Sequence, residues 1–297
     1  MSDIDLTSAV LEEKPLPRLE RQLLEPRALK SGFLTLLTWL IAILGSIPLF
    51  SVIFMLVTQG GARLDLEALT ALPPAGFEMG GGFGNAIVGT LVMVLIATLI
   101  SVPLGLLAAV YLAVLDPSSK LSAVSRFVAK TLTGFPSILA GVFTYAVLVI
   151  SFGYSALAGG VALAVLMLPT VVLAAEEAMR QVPQKMTDAA FGMGCTRSQV
   201  IWKVVLPTGL PGILTGIMLG VAGAAGESAP LLFTALFSNY FISELMEPTA
   251  SLSILIYNFS AMPFENQIEL AWAASLVLVL IVLVFNILAR LVGQPKV

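Results

Sequence analysis

The sequence predicts an all-α protein that crosses a membrane six times. Of its 297 residues, 58% are hydrophobic and only 11% are charged, whereas soluble domains contain about 25% charged residues. The mean hydropathy of +0.99 indicates the same class. Six apolar stretches each provide the ~20 residues that a spanning helix needs. None of them alternates as a membrane β-strand does, and backbone groups in lipid must hydrogen-bond internally, so we expect helices.

The composition also excludes several classes of function. The chain has no His, one Cys and a formal net charge of -3. It therefore lacks the commonest metal ligand and general base, cannot form an intramolecular disulfide, and carries no basic surface for nucleic acid. We predict no catalytic residue and no metal site. A phosphate-binding loop of the type G-x-x-x-x-G-K-S/T is absent from the sequence, so any ATP hydrolysis must occur on another polypeptide.

The six spans follow from the apolar stretches in chain order. They are predicted at 33–58, 86–115, 127–151, 155–175, 209–237 and 269–292. An N-terminal arm, 1–31, mixes both signs of charge with prolines, so we expect it to lie on the surface or to be partly disordered. The rest, 32–297, is predicted to form one six-span domain, with a long loop at 176–208.

The placement of Lys and Arg predicts the orientation, because cytoplasmic loops are rich in these residues. Of the 15 Lys and Arg residues, all but Arg63 lie in the arm, around 120–130, in loop 176–208 or near the C-terminus. Both termini and the loop are therefore predicted to be cytoplasmic.

Loop 176–208 contains the most specific pattern of the chain, DAAFGMGCTRSQVIWKVVLP. The positions that define the pattern are Asp188, Ala189, Ala190, Gly194, Val204, Leu206 and Pro207. We expect two short helices, near 185–192 and 196–205, joined at Gly194, since glycine permits a positive φ. Such a compact projection can dock into a groove of a partner through apolar side chains, here Val200, Ile201 and Val204. The alternative is an amphipathic helix that lies on the membrane surface.

The fifth predicted span contains Glu227, the only acidic residue deep inside any span. An intramembrane carboxylate is a candidate for a transport pathway, and Pro230, which has no amide hydrogen, loosens the backbone around it. Ser228 lies beside it, and Pro136 and Ser137 in the third span are further pathway candidates because proline kinks a helix and frees carbonyls. The alternative is a glutamate that only hydrogen-bonds a neighbouring helix.

Glycines recur along the same predicted span. Gly209, Gly212, Gly216, Gly220 and Gly223 are spaced three or four residues apart. At 3.6 residues per turn they share one face of a helix. Small residues let helices approach closely in lipid, so we predict that this face packs against another helix.

The pattern at 188–207 resembles the EAA loop of ABC-importer permeases. That loop has Glu-Ala-Ala, three residues, Gly, nine residues, and Ile-x-Leu-Pro; here Asp188 replaces Glu and Val204 replaces Ile. Three further stretches resemble the PstA family, the permease subunits of bacterial phosphate ABC importers. They are GFPSILAG, AGESAPLLFTALF, and SLSILIYNF followed by LAWAASLVLV. The resemblance runs from about residue 84 to the end of the chain.

The resemblance implies a type I ABC importer permease architecture, with 188–207 as a helix-turn-helix that couples to an ATPase. It implies a heterodimer with the sister permease PstC, two PstB ATPases that bind ATP and Mg on the cytoplasmic face, and an external PstS-type phosphate-binding protein. The chain itself would bind no cofactor and would lie in the inner membrane. The family pattern has Arg four residues before the glutamate, where this chain has Gly223. We expect the missing positive charge on the partner permease, at broken-helix N-termini or on bound cations, with Glu227 at the interface with the sister permease.

Other functions stay open from the sequence alone. The nearest alternative is a permease for another oxyanion, such as sulfate or molybdate. An ion-coupled secondary transporter or a channel subunit would need no ATPase. A membrane enzyme is the least supported, since the sequence shows no nucleophile–base pair.

Overall fold

The computed structural model describes residues 26–292, and every regular element in that range is helical. In chain order the helices are α1 (Pro26–Met55), α2 (Leu66–Thr70), α3 (Gly84–Leu115), α4 (Lys120–Thr133), α5 (Ser137–Phe152), α6 (Ala156–Arg180), α7 (Gln184–Gly192), α8 (Arg197–Gly226), α9 (Ala229–Leu232), α10 (Leu252–Ser260) and α11 (Glu265–Val292). The bounds of α3, α5 and α8 include one π-helical turn each.

Five helices in the described range, α1, α3, α6, α8 and α11, are long and apolar enough to cross a membrane on their own. A sixth crossing is obtained when α4 and α5 are counted together. The predicted all-α class is therefore confirmed, with five candidate spans, or six if α4 and α5 form one span, while several of the predicted boundaries are wrong. Of the predicted arm 1–31, residues 1–25 lie outside the described range, and the remainder already belongs to α1.

The third span is not the single helix predicted at 127–151. It consists of α4 and α5, whose axes differ by 104° across a short break. The break lies at 134–136, where Pro136 has φ −58° and ψ 123° just before α5 begins. Proline cannot donate a backbone hydrogen bond, and it disfavours helical backbone at the preceding residue, Phe135. The prolyl ring therefore ends the helix here instead of merely kinking it.

The fifth span also differs from the prediction of 209–237. Helix α8 begins at Arg197, inside the predicted loop 176–208, and ends at Gly226. Glu227 follows with extended backbone, φ −73° and ψ 125°, and the chain then forms only the short α9 before an irregular stretch. The predicted loop is shortened from its other end too, because α6 continues to Arg180.

Helix α1 belongs to a first unit that ends at Phe54, and residues from Met55 onward form a second unit. Within α1 the hydroxyls of Thr35, Thr38 and Ser46 donate to carbonyls four residues earlier, at 2.7–2.9 Å. These bonds satisfy polar groups that would otherwise face hydrocarbon without a partner.

The core of the second unit is built where α3 and α8 pack against α6. Met93, Leu163 and Met167 are at most 2% exposed there. Close approach depends on glycine: a Cβ placed on Gly216 would lie 2.3 Å from Cβ of Ala174 on α6, and one on Gly212 would lie 2.8 Å from Cβ of Ala178. The predicted glycine packing is thus present, and its partner is a helix of the same chain.

The segment between the fifth and sixth predicted spans, 238–268, contains the helix α10, which the sequence analysis did not predict. Ser251 accepts the backbone N–H of Ile254 as its N-cap, and the Leu252 N–H donates to Oγ1 of Thr90 on α3. Leu252, Ile254 and Leu255 are fully buried. Helices α9 and α10 are too short to span, and burial in protein is what makes such short helices tolerable at membrane depth.

Candidate functional site: a polar pocket at the helix breaks and the loop around Gly194

Glu227 lies at the residue where α8 stops. Its backbone N–H donates to the carbonyl of Ala224 at 3.3 Å, and its own carbonyl accepts from Oγ of Ser253 at 2.9 Å. In a continuous helix that carbonyl would accept the N–H of Leu231, but the backbone at Glu227 is extended and this N–H donates to the carbonyl of Ser228 instead. The hydroxyl of α10 therefore replaces the lost helical partner and holds the break in place.

The short helix α9 packs against α5 directly after the break. Pro230 is buried, and a Cβ on Gly141 of α5 would lie 2.6 Å from its Cα. Oγ1 of Thr234 donates to the carbonyl of Pro230 at 2.9 Å. The two prolines that the sequence analysis singled out, Pro136 and Pro230, thus begin two helices that contact each other.

Glu227 and Ser137 line one pocket of about 190 Å³. Its walls come from the end of α4, the start of α5, the middle of α6 and the last turns of α8. Thr133 and Thr170 also line the pocket with their hydroxyl groups, and the sequence analysis did not predict them as site residues. In the sequence they differ from their neighbours only as polar residues within apolar stretches. A water molecule occupies about 30 Å³ in the liquid, so the pocket has room for a small hydrated ion or for several waters.

The five predicted pathway residues are only partly brought together. Ser137 and Glu227 line the pocket. Pro136 forms the break between α4 and α5, whereas Ser228 and Pro230 form the start of α9. All five therefore belong to the two helix breaks, and two of them contribute to the pocket surface.

The pocket contains one carboxyl group and no positive side chain. Within residues 26–292, Glu227 forms no ion pair with Lys or Arg. Gly223 also lines the pocket, and a Cβ added there would meet no atom within 4 Å. In the same part of the chain, no three acidic or cysteine side chains lie close enough to hold a metal ion.

The glycine face of α8 packs within this chain. Gly209, Gly212, Gly216 and Gly220 contact α6, as the predicted packing against another helix requires. These glycines therefore give no reason to place Glu227 at a partner subunit, and its position at the interface with the sister permease stays a prediction.

The loop pattern forms a helix, a tight turn and a second helix. Asp188, Ala189 and Ala190 lie on α7, and Gly194 has φ +84° in the turn. Thr196 then begins α8 with a reciprocal capping box: its hydroxyl accepts from the N–H of Gln199, whose side chain accepts from the N–H of Thr196. This arrangement satisfies two backbone donors that a helix start leaves free.

The prediction that apolar side chains of this loop dock into a partner through Val200, Ile201 and Val204 is wrong. Val200 is 1% and Ile201 7% exposed, because both pack inside this chain, and Val204 is half-buried against the same cluster. Helical periodicity identified a buried face but not what covers it. The exposed apolar side chains in this region are Met186, Phe191, Met193 and Trp202.

Two arginines near the end of α3 form contacts that the sequence analysis missed. Nε of Arg126 lies 2.5 Å from Oε1 of Glu176, a residue that is only 4% exposed. The same oxygen lies 3.1 Å from Nε of Arg180. Nη2 of Arg126 donates to the carbonyl of Leu112 at 2.6 Å. Nη2 of Arg197 donates to the carbonyls of the last two residues of α3, Val114 and Leu115.

Comparison with known proteins identifies the family. Residues 101–295 match the family model described as binding-protein-dependent transport system inner membrane component. The chain is 39% identical over 271 residues to the phosphate transport system permease protein PstA of Pasteurella multocida, covering 91% of this chain and 96% of the relative. The chain belongs to the PstA permease family. It is thus a multi-pass permease subunit of the inner membrane and not an enzyme.

Relatives of the PstA family extend to distant organisms. The probable phosphate transport system permease protein PstA of Methanocaldococcus jannaschii is 39% identical, covering 86% of this chain and 91% of the relative. PstA 1 of Mycobacterium tuberculosis strain H37Rv is 32% identical, covering 95% of this chain and 93% of the relative.

Solved structures support the fold. A bacterial alginate ABC transporter has a chain that matches with a TM-score of 0.64 at 15% identity, over 94% of this chain and all of that one. The MetNI methionine ABC transporter matches with a TM-score of 0.59 at 19% identity, over 71% of this chain and 94% of that one. These likenesses confirm the predicted type I ABC importer permease fold.

Proposed function

We propose that this chain forms half of the pathway by which an ATP-driven importer carries inorganic phosphate across the inner membrane. The observation that carries the proposal is the pocket shared by Ser137 and Glu227, which lies at two helix breaks in a member of the PstA family. Discontinuous helices are the usual place for substrate sites in transporters because they expose backbone groups at membrane depth.

The pocket has features that suit an anion despite its carboxyl group. Helix α5 begins at Ser137 in the pocket wall, and no side chain caps that end. The first N–H groups of a helix and its dipole attract negative charge. The hydroxyl of Thr170 can donate a further hydrogen bond. The full positive charge that balances Glu227 and the substrate would come from the sister permease or from a bound cation.

We further propose the partners of the importer. The sister permease would be PstC, and a PstS-type phosphate-binding protein would deliver substrate from outside. Two PstB subunits would bind ATP and Mg and would contact the loop that contains Asp188 and Gly194. Asp188 and Ala189 are exposed there, beside the exposed Phe191 and Met193. Both termini and this loop would then be cytoplasmic, as the placement of Lys and Arg predicts.

The test is phosphate uptake by the complete complex in proteoliposomes, with Glu227→Gln as the variant. This change removes the charge but keeps the size, so we expect normal subunit content with phosphate uptake lowered by about tenfold, the scale of one lost hydrogen bond to a charged group. The matched control is Glu244→Gln in the external segment. Sulfate and molybdate, added in excess, should not compete with labelled phosphate. Wild-type uptake in Glu227→Gln would refute the placement of Glu227 in the phosphate pathway. Phosphate transport without an ATPase would refute the proposal that the complex is an ATP-driven importer.

A further inference from the structure

Arg197 connects the loop around Gly194 to a transmembrane helix. It is the first residue of α8, and its Nη2 donates to the carbonyls of Val114, at 2.9 Å, and Leu115 at the end of α3. The last carbonyls of a helix have no intrahelical donor, and the helix dipole makes them favour a cation. The guanidinium therefore supplies hydrogen bonds that the end of α3 lacks.

Arg126 makes a parallel connection at the same end of α3. Its Nη2 donates to the carbonyl of Leu112 at 2.6 Å, and its Nη1 donates to the carbonyl of Pro117 at 2.9 Å. Its Nε contacts the buried carboxylate of Glu176 on α6 at 2.5 Å. Because Arg126 lies on α4, this one side chain joins α3, α4 and α6.

Three of the helices that meet at these two arginines, α4, α6 and α8, also line the pocket. Helix α8 runs without interruption from Arg197 to Gly226, which is about 45 Å at 1.5 Å per residue, and Glu227 follows. Helix α4 ends at Thr133 in the pocket wall, and the middle of α6 contributes Thr170. A displacement of the loop is thus passed to Glu227 along α8. It reaches α6 directly through the packing of α8 on that helix, whereas Arg197 adds a connection to the end of α3, which Arg126 joins to α4.

We propose that Arg197 is a positioning residue for ATP-driven transport. It joins the loop to the end of α3, so that α3, α4 and α6 move together with α8 when the ATPase displaces the loop. The inference rests on the proposed coupling role of that loop. Apolar packing of Val200, Val205 and Ala190 against Ala109 and Ala175 holds the loop in the fold independently, so the chain should still assemble without the guanidinium.

The test compares Arg197→Ala with Lys120→Ala in the complete complex, purified through a tag on this chain and reconstituted in proteoliposomes. Lys120 is the first residue of α4 and carries the same charge, but it lies outside the loop, and among the described residues its side chain has no ion pair. The measurement is phosphate imported per ATP hydrolysed, with phosphate-loaded binding protein outside.

We expect Arg197→Ala to lower this ratio by about tenfold, the scale of one lost hydrogen bond to a charged group, with subunit content unchanged. Arg197→Lys should recover part of the loss, because an ammonium group can still donate to one carbonyl, and Lys120→Ala should behave as wild type. A wild-type ratio in Arg197→Ala would overturn the inference, and so would loss of the complex, since the role would then be structural. Absence of phosphate import in the wild-type complex would instead refute the proposed function, and the inference with it.

Discussion

The contact between α6 and α8 at Gly216 gives a sharp test of the fold. In Gly216→Ala the new Cβ would lie 2.3 Å from Cβ of Ala174. Carbon atoms in contact are normally about 3.5–4.0 Å apart, so the two helices would have to separate locally by more than about 1 Å. Neither atom can rotate away, because each Cβ is fixed by its own backbone. The substitution therefore overpacks the helix pair that forms the centre of the unit.

The expected cost follows from this geometry and from a matched control. Overpacking of a well-packed core costs about 1–3 kcal/mol, but replacing a helical glycine by alanine also gains up to about 1 kcal/mol in helix propensity. Gly223→Ala, on the same helix, has the same gain without a clash, because no atom lies within 4 Å of its Cβ. The difference in the free energy of unfolding between the two variants isolates the cost of overpacking. We expect Gly216→Ala to be less stable than Gly223→Ala by about 1–3 kcal/mol.

The assay is thermal unfolding of the purified protein in one detergent, with both variants measured beside the wild type. At about 2–4 °C for each kcal/mol, Gly216→Ala should melt about 2–12 °C below Gly223→Ala. Gly223→Ala should melt at or slightly above the wild-type temperature. If the two variants melt within one degree of each other, α6 and α8 do not approach at Gly216 as the structure has them, and the packing argument fails.

Three further predictions concern the loop, the orientation and the buried ion pair. Gly194→Val should uncouple ATP hydrolysis from uptake or release the ATPase while the chain stays in the membrane, because a β-branched residue is strained at φ +84°; normal copurification and uptake would contradict this. In a chain with Cys195 changed to Ser, a cysteine at Ser243 should react with an impermeant thiol reagent on intact cells and one at Ser198 should not, and the reverse pattern would overturn the orientation. Glu176→Ala should lower the free energy of unfolding by about 3 kcal/mol, since it leaves a largely buried arginine without its partner; an unchanged melting temperature would show that the pair is dispensable.

The sequence was sufficient for the long apolar helices and for some of the positions where they break. Apolar length predicts spans because the bilayer has a fixed thickness, and Gly194 marks a turn because glycine alone adopts positive φ without strain. Pro136 and Pro230 correctly marked irregular backbone. Whether proline kinks or ends a helix was not predictable, because that depends on whether another element satisfies the freed groups. Here Ser253 of α10 satisfies the carbonyl of Glu227, and α10 lies far along the chain.

Partner assignment was the weakest part of the sequence reasoning, for a physical reason. Periodicity shows that one face of a helix is apolar, but an apolar face is equally stable against the same chain, a partner or lipid. Val200 and Ile201 therefore had the right pattern for a docking surface and proved to be core. Arg126 and Glu176 are 50 residues apart, and no local pattern relates them. Contacts of this kind depend on how helices pack in three dimensions.

The two helix breaks also explain how so apolar a chain provides a polar pocket. Continuous helices use nearly all their backbone groups internally, and the predicted span cores contain no Lys or Arg. Polar groups at membrane depth must then come from the ends of broken helices. Gly141 allows α5 to contact Pro230 of α9 closely, so the breaks at Pro136 and Glu227 are held next to each other. A side chain at Gly141 would separate them and would widen or disrupt the pocket without touching any of its polar groups. The glycine therefore supports the geometry of the pocket that Ser137 and Glu227 line, although it has no group that could bind a substrate.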